Sequence, residues 1–361
     1  MSPRSLNIAL WGWYQAGNYG DDLMALMVAG ALRDHGHRVT LFAESRLAQE
    51  AGGVATTRSL NELLHGADLC VVGGGGLLIN GAACETSAGE LAGAAARHNV
   101  PLWLTSVGAD GVGAIDWDSM PGRRALLESP HLLGGTIRTR MEDRLLESRG
   151  LRYYPDIVLR AGSSLGIERR PTGRATIGIN VPPWGRGRML AKTLLDVART
   201  TGAFDVACLQ TAHPDYPATH GHELVEPLVG MGARKVQFES VRGFLEEVAT
   251  MSAIVSFKLH LGVSALSMGT PFIGFGGGPK VQSFFQALGA SSCYYGCRGR
   301  DVAAVLTKLA AHAAAPQRLK PSLKPRGAYV AIEQAKGHFD EMHKAIDRVA
   351  ETRPVCEGVA R

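Results

Sequence analysis

The stretch Ser252-Ala253-Ile254-Val255-Ser256-Phe257-Lys258-Leu259-His260, followed after a short helical pattern by Pro271-Phe272-Ile273-Gly274-Phe275-Gly276-Gly277-Gly278-Pro279-Lys280, decides the fold. Two apolar runs of strand length flank a helical segment and end in basic or glycine-rich residues, the pattern of a βαβ unit in a parallel sheet. Such units are right-handed, so the loops after both strands leave the same carboxyl edge, where open α/β sheets bind ligands. Lys258, His260 and Lys280 are therefore expected to converge. The helix start after His260 adds unpaired backbone N–H groups and partial positive charge. Gly276, Gly277 and Gly278 let a ligand approach the backbone, and the edge reads as a phosphate or carboxylate site.

Outward from this unit the same alternation runs through the chain. Strands are predicted near residues 7–11, 39–43, 68–72 and 102–107 in the first half, and near 175–180, 204–210, 253–257 and 272–275 in the second. The first helix is marked by Leu23, Leu26, Met27 and Ala31 at close to a 3.6-residue period. A chain of 361 residues exceeds the usual span of one hydrophobic core. The polar segment with Glu168, Arg169, Arg170, Pro171 and Gly173 marks the boundary. The expectation is an α/β protein of two Rossmann-like doubly wound domains facing a cleft. Residues 1–165 form the acceptor side and 170–316 the anionic donor side, and 317–361 form a Pro/Lys-rich connector and a closing helix over 327–351.

Composition narrows the function. The formal charge of +5 comes without the basic clusters and interleaved aromatics of a nucleic-acid binder, so a small acidic substrate fits better. There is no apolar run of about 18 residues and no signal-peptide pattern, which predicts a cytoplasmic enzyme without membrane insertion. Six scattered cysteines match no zinc ribbon, and Cys293 and Cys297 read as reduced thiols. His213, His220 and His222 fall in a polar loop expected at the cleft rim, and Trp11, Trp13, Tyr14 and Trp184 are candidates for a stacking face or for core. The oligomeric state, a homo-oligomer included, is left open.

In the first half, Gly17-Asn18-Tyr19-Gly20-Asp21-Asp22-Leu23 follows the first strand and opens a helix. The two glycines suggest a tight turn. Asp21 and Asp22 at a helix start would repel a phosphate, so a hydroxyl-bearing acceptor suits this loop, while Asn18 or Asp21 could equally cap the helix. A second close-approach loop, with Gly75 and Gly76, follows Val72.

These segments together resemble the polysaccharide pyruvyl transferases. The G-N-x-G-D segment at residues 17–21, the basic residue-Leu-His of Lys258-Leu259-His260, the following Pro-Lys, and the weaker matches Thr139-Arg140-Met141-Glu142-Asp143 and Tyr154-Pro155-Asp156 carry the likeness. The chain departs from that family with Lys258 in place of Arg and Arg144 in place of Ser. The resemblance implies a glycosyltransferase-B-like pair of domains and transfer of a pyruvyl group from phosphoenolpyruvate to a hydroxyl acceptor, with no cofactor. It implies His260 and Asp21 as catalytic residues. Lys258, Arg140, Lys280, Gly277 and Gly278 would hold the anionic donor, and Asn18, Tyr19, Gly20, Gly75 and Gly76 would hold the acceptor. Two other readings remain open: a glycosyltransferase-B-type enzyme whose sugar nucleotide rests its diphosphate on Lys258 and Lys280, and a family member that only binds.

Overall fold

The computed structural model describes residues 4–14, 17–78, 82–109, 115–171, 173–215, 225–313 and 326–352. Two open parallel sheets carry the chain. The first is built from β1 (Asn7–Trp11), β2 (Arg38–Phe42), β3 (Ala55–Thr57), β4 (Leu69–Gly73), β5 (Leu102–Val107), β6 (Leu132–Ile137) and β7 (Leu151–Tyr153), in the order β3-β2-β1-β4-β5-β6-β7. The second holds β8 (Thr176–Asn180), β9 (Asp205–Gln210), β10 (Arg234–Gln237), β11 (Ala253–Ser256), β12 (Phe272–Phe275) and β13 (Tyr294–Tyr295), in the order β10-β9-β8-β11-β12-β13. Every ladder is parallel, and in both sheets the strand order reverses beside the first strand: β4 pairs with β1, and β11 with β8. This is the doubly wound, glycosyltransferase-B-like arrangement.

Helices cover both faces, so the central strands are apolar without alternation. β4, β5 and β11 are buried along their whole length, as strands covered on both sides must be. The short β3, β7, β10 and β13, which periodicity did not reveal, sit at or near the sheet edges. The expected closing helix is two helices, Arg326–Gln334 and Gly337–Thr352. The connector at 317–325 lies outside the described residues.

The domains share one continuous core. Leu23, Leu26 and Met27 of the helix Tyr19–Asp34 pack in the same cluster as Phe238, Phe244 and Leu261 of the second domain and Met342 and Ile346 of the last helix. Hydrogen bonds reinforce it: Tyr19 N donates to Thr211 O at 3.0 Å, His213 N to Gly17 O at 2.9 Å, and the Tyr19 hydroxyl to Ser264 Oγ at 2.9 Å. The segment after β1 is thereby clamped against the second domain.

Candidate functional site

A cavity of about 800 Å³ opens between the carboxyl edges of the two sheets. Of the residues expected at the site, Asn18, Tyr19, Gly20, Asp21, Gly76, Arg140, Lys258, His260 and Lys280 line it. Gly75, Gly277 and Gly278 do not. Gly75 instead backs Asp21, since a Cβ there would stand 3.0 Å from Asp21 Oδ1. Gly277, at φ +84°, N-caps the helix Gly278–Ala287, and a Cβ would fall 2.2 Å from the Phe257 carbonyl oxygen. Gly75 and Gly277 are thus required by chain packing, whereas a Cβ on Gly278, at φ +66°, would meet no neighbour.

Asn18 is the N-cap of the helix Tyr19–Asp34: its Oδ1 accepts from Gly20 N at 3.2 Å, and its Nδ2 donates to Asp21 Oδ2 at 2.9 Å. Asp21 is thus released from capping and faces the cavity. Burial raises its pKa, against the pull of His260, Arg138 and Lys280. Asp22 turns away into the domain junction and meets Arg46 at 2.5 Å, where burial lifts its pKa to about 7 despite that partner. Gly20 is not a turn glycine; it lies in the first helical turn, and a Cβ would sit 2.0 Å from His260 Nδ1. Its missing side chain is the space that the imidazole occupies.

His260 stands in the first turn of the helix Leu259–Ser267, whose N-cap is Lys258. Its partner is Arg138, which the sequence reading passed over in favour of Arg140. Arg138 Nη1 contacts His260 Nε2 and pairs with Asp156 Oδ2 at 2.8 Å, while Asp156 Oδ2 lies 3.6 Å from His260 Nε2. A guanidinium only donates, so Nε2 accepts and the ring proton sits on Nδ1, facing Gly20. Asp156 caps the short turn Ile157–Arg160, its Oδ1 accepting from Val158 N at 3.0 Å. Burial opposes its ionisation, yet the Arg138 guanidinium holds its carboxyl well below the usual range. Arg140 is exposed, its guanidinium 4.9 Å from the Tyr153 ring centre. Only a position two residues along an otherwise unremarkable Arg138-Thr139-Arg140 run separates the two arginines, so no sequence signal favoured Arg138.

Lys258 and Lys280 carry the remaining charge. No described carboxylate forms an ion pair with either. Burial lowers the Lys258 pKa, the Lys280 charge lowers it further, and Asp21 opposes both. Lys280 is exposed in the first turn of its helix. Arg144 is exposed at the start of the short helix Arg144–Ser148 and takes no part in lining the cavity.

Trp11 and Trp13 line the cavity, Tyr14 is buried with its hydroxyl donating to Gly73 O at 2.5 Å, and Trp184 is exposed away from it. His213 is buried, and its ring Nδ1 accepts from Asp215 N at 3.3 Å; His220 and His222 lie outside the described residues. Cys293 is buried and Cys297 half-buried. Among the described residues no group of three or more His, Cys, Asp or Glu could hold a metal ion, and no helix is long and apolar enough to cross a membrane.

No protein-family model matches the sequence, and no curated protein is similar to it. Solved structures share the fold. Staphylococcus aureus MnaA in its co-structure with UDP superposes at a TM-score of 0.64 with 10% identity, over 98% of this chain and 100% of that one. The UDP-GlcNAc 2-epimerase of Neisseria meningitidis bound to UDP-GlcNAc gives 0.60 with 12% identity, over 94% and 99%. That of Methanocaldococcus jannaschii, in complex with UDP-GlcNAc and UDP, gives 0.53 with 9% identity, over 96% and 100%. At these identities the likeness is one of fold. It corrects the sequence reading: the chain is not placed among the polysaccharide pyruvyl transferases, since no family model supports the motifs and the shared fold is that of the epimerases. The physical reason is visible in the motif itself, whose Asn caps a helix and whose second glycine makes room for a histidine. Both are demands of the fold that need no particular donor.

Proposed function

We propose that the chain is an enzyme acting on a nucleotide-activated sugar bound in the interdomain cavity. The observation that carries this reading is one cavity whose lining brings cations and a buried carboxyl together. Lys258, Lys280 and the N-terminus of the helix Leu259–Ser267 offer positive charge with which no described carboxylate forms an ion pair, suited to a diphosphate. Asp21, close enough to feel the Lys258 and Lys280 charges, presents a carboxyl whose pKa burial raises, suited to accepting a proton. The fold shared with proteins solved with UDP or UDP-GlcNAc supports it.

In this reading the two lysines and the helix N-terminus stabilise the charge that develops on the diphosphate as its bond to the anomeric carbon breaks. Asp21 accepts the proton of the hydroxyl that attacks that carbon. His260, fixed by Arg138, lines the cavity beside them. Arg140 and Tyr153 form the wall beyond.

The test is direct. The purified chain is incubated with a panel of UDP-, dTDP-, GDP- and ADP-sugars with and without hydroxyl acceptors, following nucleoside-diphosphate release and, by proton NMR, the configuration of the sugar. Release or epimerisation with one nucleotide class is expected. Absence of both binding and turnover across the panel would overturn the reading.

A further inference from the structure

We propose that Ser106, Thr136 and His338 form a buried positioning network that holds the Pro155-Asp156 turn, and through it the Arg138–His260 contact, in place. All three side chains are fully buried. His338, on the last helix Gly337–Thr352, reaches into the first domain. Its Nε2 lies 2.8 Å from the Pro155 carbonyl oxygen, which can only accept, so Nε2 carries the proton. Its Nδ1 must then accept, and the Thr136 hydroxyl at 2.7 Å donates to it. The Thr136 oxygen in turn accepts from Ser106 N at 3.0 Å, and Ser106 Oγ accepts from Ile157 N at 3.4 Å. Each group on the path has a single permitted role, so the network has one direction and one geometry.

It converges on the two residues that flank Asp156, Pro155 and Ile157, while Asp156 itself grips Arg138. Ser106 also holds φ at +54°, a left-handed conformation that a non-glycine residue adopts only where its surroundings enforce it. Ser106 lies in β5 among Leu104, Val107 and the buried Thr105, and Thr136 and His338 are equally sealed from water, so each of these polar groups needs the partner that this network gives it. The site therefore depends on a histidine 183 residues away in sequence from the carbonyl it holds. The network orients His260 whatever ligand the cavity takes.

The full chain, labelled with 15N-histidine, tests it. In the wild type the His260 ring should show a protonated Nδ1 and an unprotonated Nε2, well separated. In His338→Gln and in Thr136→Val the two His260 resonances should move toward each other as the fixed tautomer is lost, while the thermal transition stays cooperative. Thr136→Ser, which keeps the hydroxyl, should restore the wild-type pair. His260 resonances that superimpose on wild type in both His338→Gln and Thr136→Val would overturn the proposal, as would a wild type with no dominant tautomer. Should His338→Gln fail to fold, Thr136→Val, a hydroxyl exchanged for a methyl, decides by the same readout.

Discussion

Asp21 and Asp22 are neighbours in sequence with opposite surroundings: one faces the cavity beside His260 and Lys280, the other is sealed against Arg46 in the domain junction. Asp21→Asn should lower turnover of a nucleotide sugar by about two to four orders of magnitude with little change in nucleotide affinity, because a proton acceptor acts in the transition state. The pKa of Asp21 is raised, so the acid limb of the activity profile should lie above the ordinary carboxylate range. Lys280 pulls that pKa down; Lys280→Ala should therefore move the limb to still higher pH, and a limb that moves down would exclude Asp21 as the titrating group. Gly20→Ala asks a different question. A methyl 2.0 Å from His260 Nδ1 must displace the ring, and turnover should fall by at least about tenfold while the fold survives. Asp21 and His260 could be read from the strand-end motifs. Arg138 could not, because which of two arginines two residues apart turns inward is set by the path of the chain after β6.

The helix Leu259–Ser267 carries both Lys258 at its N-cap and His260 in its first turn, so one element supplies charge, dipole and imidazole. Lys258→Ala and Lys280→Ala should each weaken UDP binding about tenfold, or about 1.4 kcal/mol, in calorimetry. An unchanged affinity in both would move the diphosphate elsewhere. The helix Val241–Thr250 shows how elements join the domains. Glu50 Oε2 accepts from its first N–H, Val241 N, at 2.6 Å, beside the cap that Ser240 Oγ gives Gly243 N at 3.2 Å. Glu50→Gln should cost about 1 kcal/mol in denaturant unfolding, the weight of a charged group at a helix start. Element identity was largely legible, because buried parallel strands and amphipathic helices write their periods plainly. The break between Arg326–Gln334 and Gly337–Thr352 was not, since one glycine after the good helix formers Ala335 and Lys336 is weak notice of it, and the Tyr154 ring that crowds Gly337, 2.1 Å from where a Cβ would stand, comes from the first domain.

Across the whole molecule, the last helix returns to the first domain and closes it, with His338 as the buried peg. Burial lowers the His338 pKa from 6.5 to about 4, against its bond to Pro155 O. Between those values the unfolded chain binds a proton that the folded one refuses, so this residue makes stability fall as pH drops from about 6.5 to 4, by at most about 3 kcal/mol. Asp22, raised to about 7, contributes the opposite slope, since its folded form holds a proton that the unfolded chain has released. The comparison that isolates His338 is therefore the difference between wild type and His338→Gln, which should shrink as pH falls through this window; a difference independent of pH would mean that His338 is not neutral in the fold. Periodicity, turn residues and length were enough for two doubly wound sheets and for the edge after β11 that lines the cavity, because hydrophobic burial and the right-handed crossover leave a chain of this pattern few other solutions. The chemistry of the donor was beyond them: short Gly, Asn, Asp, Lys and His segments at strand ends answer first to capping and packing. What the tertiary structure alone decided is which distant side chains meet. Arg138 reaches His260 across 122 residues of chain, His338 locks the turn beneath them, and Gly20 clears their space, because contacts between domains depend on how two folded surfaces register, and no local pattern records that.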